Sequence, residues 1–217
     1  VRSGGLGDVY KRQIPGEELH GVMDAVRFIE SLRQSSDKSD VPVGRHVVVI
    51  GGGNTAIDAA VQAKRLGAEQ VSLVYRRGRE DMPATFVEQD WALVNGVDFR
   101  HWAAPVALEG QGAVQRIRFA RTKLEDGRLV LGEEGYILRA DMVLKAVGQS
   151  LEIWEDEALP AICAGRIVVN EDLQTSLPGV FAGGDCIPGQ DLTVQAVADG
   201  KRAAQSINAY MKGELNG

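Results

Sequence analysis

One stretch constrains the fold of this chain more than any other. His46-Val47-Val48-Val49-Ile50 runs into Gly51-Gly52-Gly53-Asn54-Thr55-Ala56, and an alanine-rich segment follows. A run of β-branched residues without alternation suits a strand buried on both faces, which belongs in a parallel sheet. The alanine-rich segment has helical composition, and Gly67 is placed to stop it. Val71 to Tyr75 is a second strand of the same chemistry. Strand, glycine turn, helix and strand within about thirty residues make a βαβ unit. Such a unit implies a right-handed crossover and a parallel sheet.

The turn matches G-x-G-x-x-A, and each position has a physical reason. Gly51 permits the tight exit from the strand, Gly53 lets a pyrophosphate approach the backbone, and Ala56 lets the helix pack closely on the sheet. The N–H groups and positive end of a helix starting near Asn54 then face the phosphates. A tight structural turn would use the same glycines, but here the strand before and the helix after supply the context of a dinucleotide site. An NAD site often carries an acidic residue about twenty residues further on, to hold the ribose hydroxyls. This chain has Arg76 and Arg77 there, with Arg79 close behind. Guanidinium forks suit a 2′-phosphate and favour NADPH; a solvated basic loop is the alternative.

Around this unit the chain is readable in outline. Val22, Val26, Ile29 and Leu32 recur at helical spacing, and a polar linker fills Ser35 to Asp40. Pro83 fits the first turn of a helix carrying Phe86, Trp91 and Leu93, with Glu80 and Asp81 placed to cap or solvate it. Val97 to His101 reads as a strand. Residues 104–109, 113–124 and 128–138 alternate, broken at Gly110-Gln111-Gly112 and Glu125-Asp126-Gly127, which suggests inserted antiparallel hairpins. Met142 to Gly148 returns to an apolar strand, residues 151–160 are irregular, and Arg166 to Val169 is a short strand.

A second glycine turn lies near the C-terminus. Thr175-x-x-x-x-Val180-Phe181-Ala182-Gly183-Gly184-Asp185 resembles the signature that closes the flavin site in pyridine-nucleotide flavoprotein reductases. The resemblance implies that Asp185 accepts a hydrogen bond from the ribityl chain of FAD and that Gly184 admits the neighbouring phosphate. It also implies that Leu192-Thr193-Val194 open a helix whose N–H groups face the flavin ring. Lys145-Ala146-Val147-Gly148-Gln149 resembles the segment where the nicotinamide domain returns to the flavin domain, which adds Ala146, Val147 and Gly148 to the NAD(P) site.

Ile14-Pro15-Gly16-Glu17-Glu18-Leu19, VVVIGGGNTAIDAA, YRRGREDMPA and VFAGGDC together resemble the glutamate synthase small subunits and the related electron-input half of dihydropyrimidine dehydrogenase. FIESLRQSSDKSDVPVGR, NGVDFRHWAAP and LKAVGQS resemble the bacterial pyrimidine branch most. The implied fold class is α/β: a Rossmann-like parallel-sheet NAD(P)-binding domain with an antiparallel insertion, plus the C-terminal part of an FAD-binding domain. The expected division is a non-native leader at 1–13, a linker helix and loop at 14–44, the NAD(P)-binding domain at 45–145 and the FAD part at 146–217. VRSGGLGDVYKRQ resembles translated adaptor sequence, and the family's iron–sulfur clusters and first flavin-binding unit are expected upstream of what is present.

The implied activity passes hydride from NAD(P)H to FAD, with electrons going on to a catalytic partner subunit that reduces pyrimidines or, alternatively, supports glutamate formation. Bacterial pyrimidine enzymes of this group are NAD-dependent, which pulls against the arginines. No catalytic acid or base is assigned, because positioning suffices for hydride transfer. A nucleotide-binding module without turnover is the alternative from another class. A thioredoxin-reductase-like enzyme is disfavoured, since Cys163 and Cys186 form no CxxC pair and no metal set. Net charge is −6 without a large basic cluster, so no nucleic-acid partner is expected. No apolar stretch approaches the ~18 residues that span a membrane. A reducing, cytoplasmic setting is the default.

Overall fold

The computed structural model describes residues 14–148, 159–189 and 192–215. The expected leader, Gln149 and most of the irregular 151–160 segment lie outside the described residues. The chain divides into two compact units, Val1–Gly148 and Gln149–Gly217.

The first unit is built on five parallel strands. In chain order these are β1 (Val22–Asp24), β2 (His46–Ile50), β3 (Gln70–Val74), β4 (Val97–Arg100) and, after an insertion, β8 (Met142–Lys145). Their order across the sheet is β1-β8-β2-β3-β4. Three helices accompany them: α1 (Ala25–Gln34), α2 (Asn54–Arg65) and α3 (Phe86–Val94). The insertion is a three-stranded antiparallel sheet of β5 (Ala103–Gln111), β6 (Ala113–Glu125) and β7 (Arg128–Arg139).

The unbroken apolar run of β2 is explained by its two faces. Val47 and Val49 pack with Phe28, Ala56, Ala60 and Leu73 on the helical side. Val48 and Ile50 pack with Ile117, Phe119 and Val143 under the antiparallel sheet. Both faces are covered, so alternation would have left polar groups in a core. Ala56, Ala59, Ala60 and Ala63 of α2 are fully buried, and their small side chains bring the helix close to the sheet.

Two local expectations are corrected. Val22 opens a strand, not a helix: it pairs in register with Val143 of β8, and α1 begins only at Ala25. The helix expected at Pro83 begins at Phe86, with Thr85 as its cap. The Thr85 hydroxyl accepts from the Glu88 N–H at 3.3 Å, and the Glu88 carboxylate accepts from the Thr85 N–H at 3.0 Å. This reciprocal pair outcompetes a proline start. Asp81 instead accepts from the Gly78 N–H at 3.2 Å, closing the short 3₁₀ turn Arg79–Asp81.

The second unit contains a hairpin of β9 (Ile162–Cys163) and β10 (Arg166–Ile167), a loop from Asn170 onward, and the long helix α4 (Thr193–Met211). The loop packs on the helix through an edge-on contact of Phe181 with Tyr210, ring centres 6.0 Å apart. No helix among the described residues is long and apolar enough to cross a membrane.

Candidate functional site

The first glycine turn sits at the C-terminal edge of the parallel sheet, between β2 and α2. Its three glycines have different surroundings. Gly51 has φ +150, and a Cβ built there would stand 2.4 Å from the Ala146 carbonyl oxygen. Gly52 is pressed against the Tyr75 ring, whose carbons would lie 2.5 Å from an added Cβ. Gly53 has ordinary backbone, φ −91, and nothing within 4 Å of an added Cβ. The first two glycines are required by the protein's own packing. The third faces open space.

Gly53 is also the N-cap of α2, and no side chain caps that helix. Its leading N–H groups are therefore left for an external acceptor. Asn54 and Thr55 form the first turn, and the Asn54 side-chain oxygen is buried without a hydrogen-bond partner among the described residues. Ala146, Val147 and Gly148 continue from β8 beside this turn. The Ala146 N–H donates to the Ile50 carbonyl at 2.8 Å, Val147 is half-exposed, and Gly148 is at φ +106 with open space around it.

Arg76 and Arg77 lie in the loop after β3, at the same edge of the sheet. Arg77 Nε is buried and has no hydrogen-bond partner among the described residues. Arg79 is committed to α3: its guanidinium pairs with Asp90, donates to Gln89 Oε1 at 3.3 Å and lies 5.4 Å from the Phe86 ring centre. The structure thus brings Arg76 and Arg77 to the end of β3 and turns Arg79 toward the helix. His101 stands nearby, stacked on Phe99. Burial, with help from the Arg79 charge, holds its pKa below the ordinary imidazole value. The ring stands in a packed setting.

In the second unit Gly184, Asp185 and Cys186 form a single 3₁₀ turn. Asp185 is exposed, and its carboxylate has no hydrogen-bond partner among the described residues. The turn is held by a residue that the motif does not include. Asp199 of α4, 3% exposed, accepts from the Gly184 N–H at 3.0 Å and from Gln195 Nε2 at 2.8 Å. Its Cβ would lie 2.9 Å from a Cβ on Gly183. Nothing in the local sequence pattern of α4 marks Asp199 for this role. Thr175, the first residue of the signature, accepts from the Leu177 N–H at 3.1 Å and its own N–H donates to the Val180 carbonyl. Leu192 is the N-cap of α4 with no side-chain hydrogen bond, and Thr193 and Val194 begin the helix exposed. No cluster of metal-ligating side chains exists among the described residues.

A doubly covered parallel sheet, with a glycine turn leading into an uncapped helix at its C-terminal edge, defines the Rossmann-like class of α/β proteins. Residues 5–200 match the family model of pyridine nucleotide-disulphide oxidoreductases, and the chain belongs to that family. It is 38% identical over 207 residues to the NADP(+)-dependent formate dehydrogenase subunit beta of Moorella thermoacetica, covering 90% of this chain and 29% of that protein. It is 34% identical to the glutamate synthase [NADPH] small chain of Escherichia coli (92% and 47% covered). To the NAD-dependent dihydropyrimidine dehydrogenase subunit PreT of Escherichia coli it is 32% identical (92% and 45% covered). The chain spans less than half the length of these relatives. Among solved structures, thioredoxin reductase of Lactococcus lactis shares the fold with TM-score 0.71 at 23% identity, over 93% of this chain and 62% of that one. Mycobacterium tuberculosis FprA in complex with NADPH does so at 0.66 and 21%, over 95% and 63%.

Proposed function

We propose that this chain is the NAD(P)H-binding part and one side of the FAD site of an oxidoreductase that draws electrons from NADPH. The observation that carries the reading is Gly53: its Cβ position is open and faces the uncapped start of α2, while Gly51 and Gly52 are held by the protein's own atoms. That pattern suits a pyrophosphate lying across Gly51, Gly52, Gly53, Asn54, Thr55 and Ala56, with Ala146, Val147 and Gly148 flanking the nicotinamide end. Arg76 and Arg77 favour a 2′-phosphate, and Arg79, next in the same loop but paired with Asp90, contributes less. On the flavin side, Asp185 offers a free acceptor to ribityl hydroxyls, Gly184 gives room, and the start of α4 at Leu192, Thr193 and Val194 presents N–H groups to the ring.

When bound, NAD(P)H supplies a hydride and FAD accepts it, for onward passage of electrons to a partner subunit. This chain's residues bind and orient; none is required to move a proton. Iron–sulfur carriers would need ligands other than Cys163 and Cys186, which are both free. The stretches NGVDFRHWAAP and LKAVGQS favour pyrimidine reduction by the partner. The arginines, together with NADPH in the name of the glutamate synthase relative, favour glutamate formation as the second reading. Anaerobic addition of NADPH to the purified protein with its flavin tests the proposal. Bleaching of the flavin absorbance is expected; an unchanged spectrum with NADPH bound would leave a nucleotide-binding module without turnover.

A further inference from the structure

The loop that carries Arg76 and Arg77 is not held by the βαβ unit alone. Thr122 of β6, 6% exposed, donates from Oγ1 to the Arg76 carbonyl at 2.7 Å. Its N–H donates to the Trp102 carbonyl at 3.0 Å, and the Trp102 N–H donates to the Arg77 carbonyl at 3.2 Å. Two successive peptide units of the arginine loop are thus gripped from outside, by residues that no glycine fingerprint includes. Trp102 is in the left-handed region, φ +55, which a bulky residue adopts only when its surroundings impose it. Its indole lies against Gly78, where an added Cβ would stand 3.2 Å from Cζ2. Thr122 sits where the β6–β7 register shifts between Ala120 and Thr122, and an irregularity of this kind re-aims a side chain.

We propose that Thr122 and Trp102 form a clip that positions the Arg76–Arg77 loop and thereby sets the preference for a 2′-phosphorylated nucleotide. Thr122 is a positioning residue, acting through Arg76. The physical reason is entropic. An arginine fork engages a phosphate at low cost only when the backbone that carries it is already fixed. The pyrophosphate turn at Gly51–Ala56 lies on a different loop, so the clip should affect one end of the nucleotide and not the other.

The inference rests on the NADPH reading above, and the test separates the two. Dissociation constants for NADP⁺ and NAD⁺ are measured by calorimetry on the parent protein, Thr122→Val and Thr122→Ser, with amide exchange followed over residues 75–82. In Thr122→Val the NADP⁺ preference should fall about five- to tenfold, the worth of one hydrogen bond, while NAD⁺ affinity holds. Exchange in 75–82 should quicken, and Thr122→Ser, which keeps the hydroxyl, should restore both. A selective parent whose preference survives in Thr122→Val overturns the clip alone, as does equal loss of both nucleotides or a Thr122→Ser variant that behaves like Thr122→Val. A parent that binds NADP⁺ and NAD⁺ equally overturns the NADPH reading and the selectivity role together.

Discussion

The Ala146 carbonyl oxygen, at the end of β8, lies 2.4 Å from where a Cβ on Gly51 would stand. The contact joins the glycine turn to the segment that follows β8, and the Ala146 N–H is already tied to Ile50. Gly51→Ala therefore has no free direction in which to relax, and φ +150 is itself strained for alanine. The expected cost is roughly 1–3 kcal/mol of folding stability. Urea unfolding should show a lower midpoint for Gly51→Ala, along with weakened binding of both nucleotides.

Of the three arginines, Arg79 is set apart by its contacts with α3. Arg76→Ala and Arg77→Ala should each weaken NADPH binding about tenfold or more, the range of hydrogen bonds to charged groups. NADH binding should hold within about twofold. Arg79 spends its guanidinium on Asp90, Gln89 and the Phe86 ring. Arg79→Ala should change the NADPH-to-NADH ratio less, and because this pair is largely exposed its stability cost should stay under about 1 kcal/mol. Equal losses on both nucleotides for Arg76→Ala and Arg77→Ala would remove the 2′-phosphate assignment.

Asp199 supplies a pH signature for the second unit. Its carboxyl is held below the ordinary value, first by the Gly184 N–H, then by Gln195, with Arg202 adding to both. A folded value below the unfolded one means that the stability it lends is present above the unfolded pKa of about 3.8 and is lost as pH falls through the folded value. Asp199→Ala should flatten that acid limb in thermal melts and reduce retention of flavin through gel filtration. Asp199→Asn keeps an acceptor for Gly184 but does not titrate, so it should flatten the limb while retaining more flavin.

The βαβ unit was legible because its cues are local. HVVVIGGGNTAIDAA carries strand, turn and helix in one continuous stretch, and the breaks GQG and EDG marked the three strands of the insertion. Val22 was misread because its pairing partner, Val143, is far along the chain, and no local period reports a parallel partner across a sheet. Thr85 took the cap from Pro83 because Glu88 closes the box with it. Among site residues, Gly51 and Gly53 match one motif, but only their surroundings distinguish the glycine needed for the fold from the one left open. Thr122 and Asp199 were invisible for a different reason. Each acts on the backbone of a loop remote in sequence, and a single threonine or aspartate has no pattern by which to announce that.

Gly53→Ala tests the central claim most directly, because the fold tolerates the change and a bound pyrophosphate would not. Nothing lies within 4 Å of the added methyl, so the thermal midpoint should stay within about 4 °C of the parent. The dissociation constant for NADPH, measured by calorimetry, should rise about a hundredfold, since a pyrophosphate resting against the turn would meet the methyl. A Gly53→Ala protein that folds and binds NADPH as tightly as the parent would contradict the account.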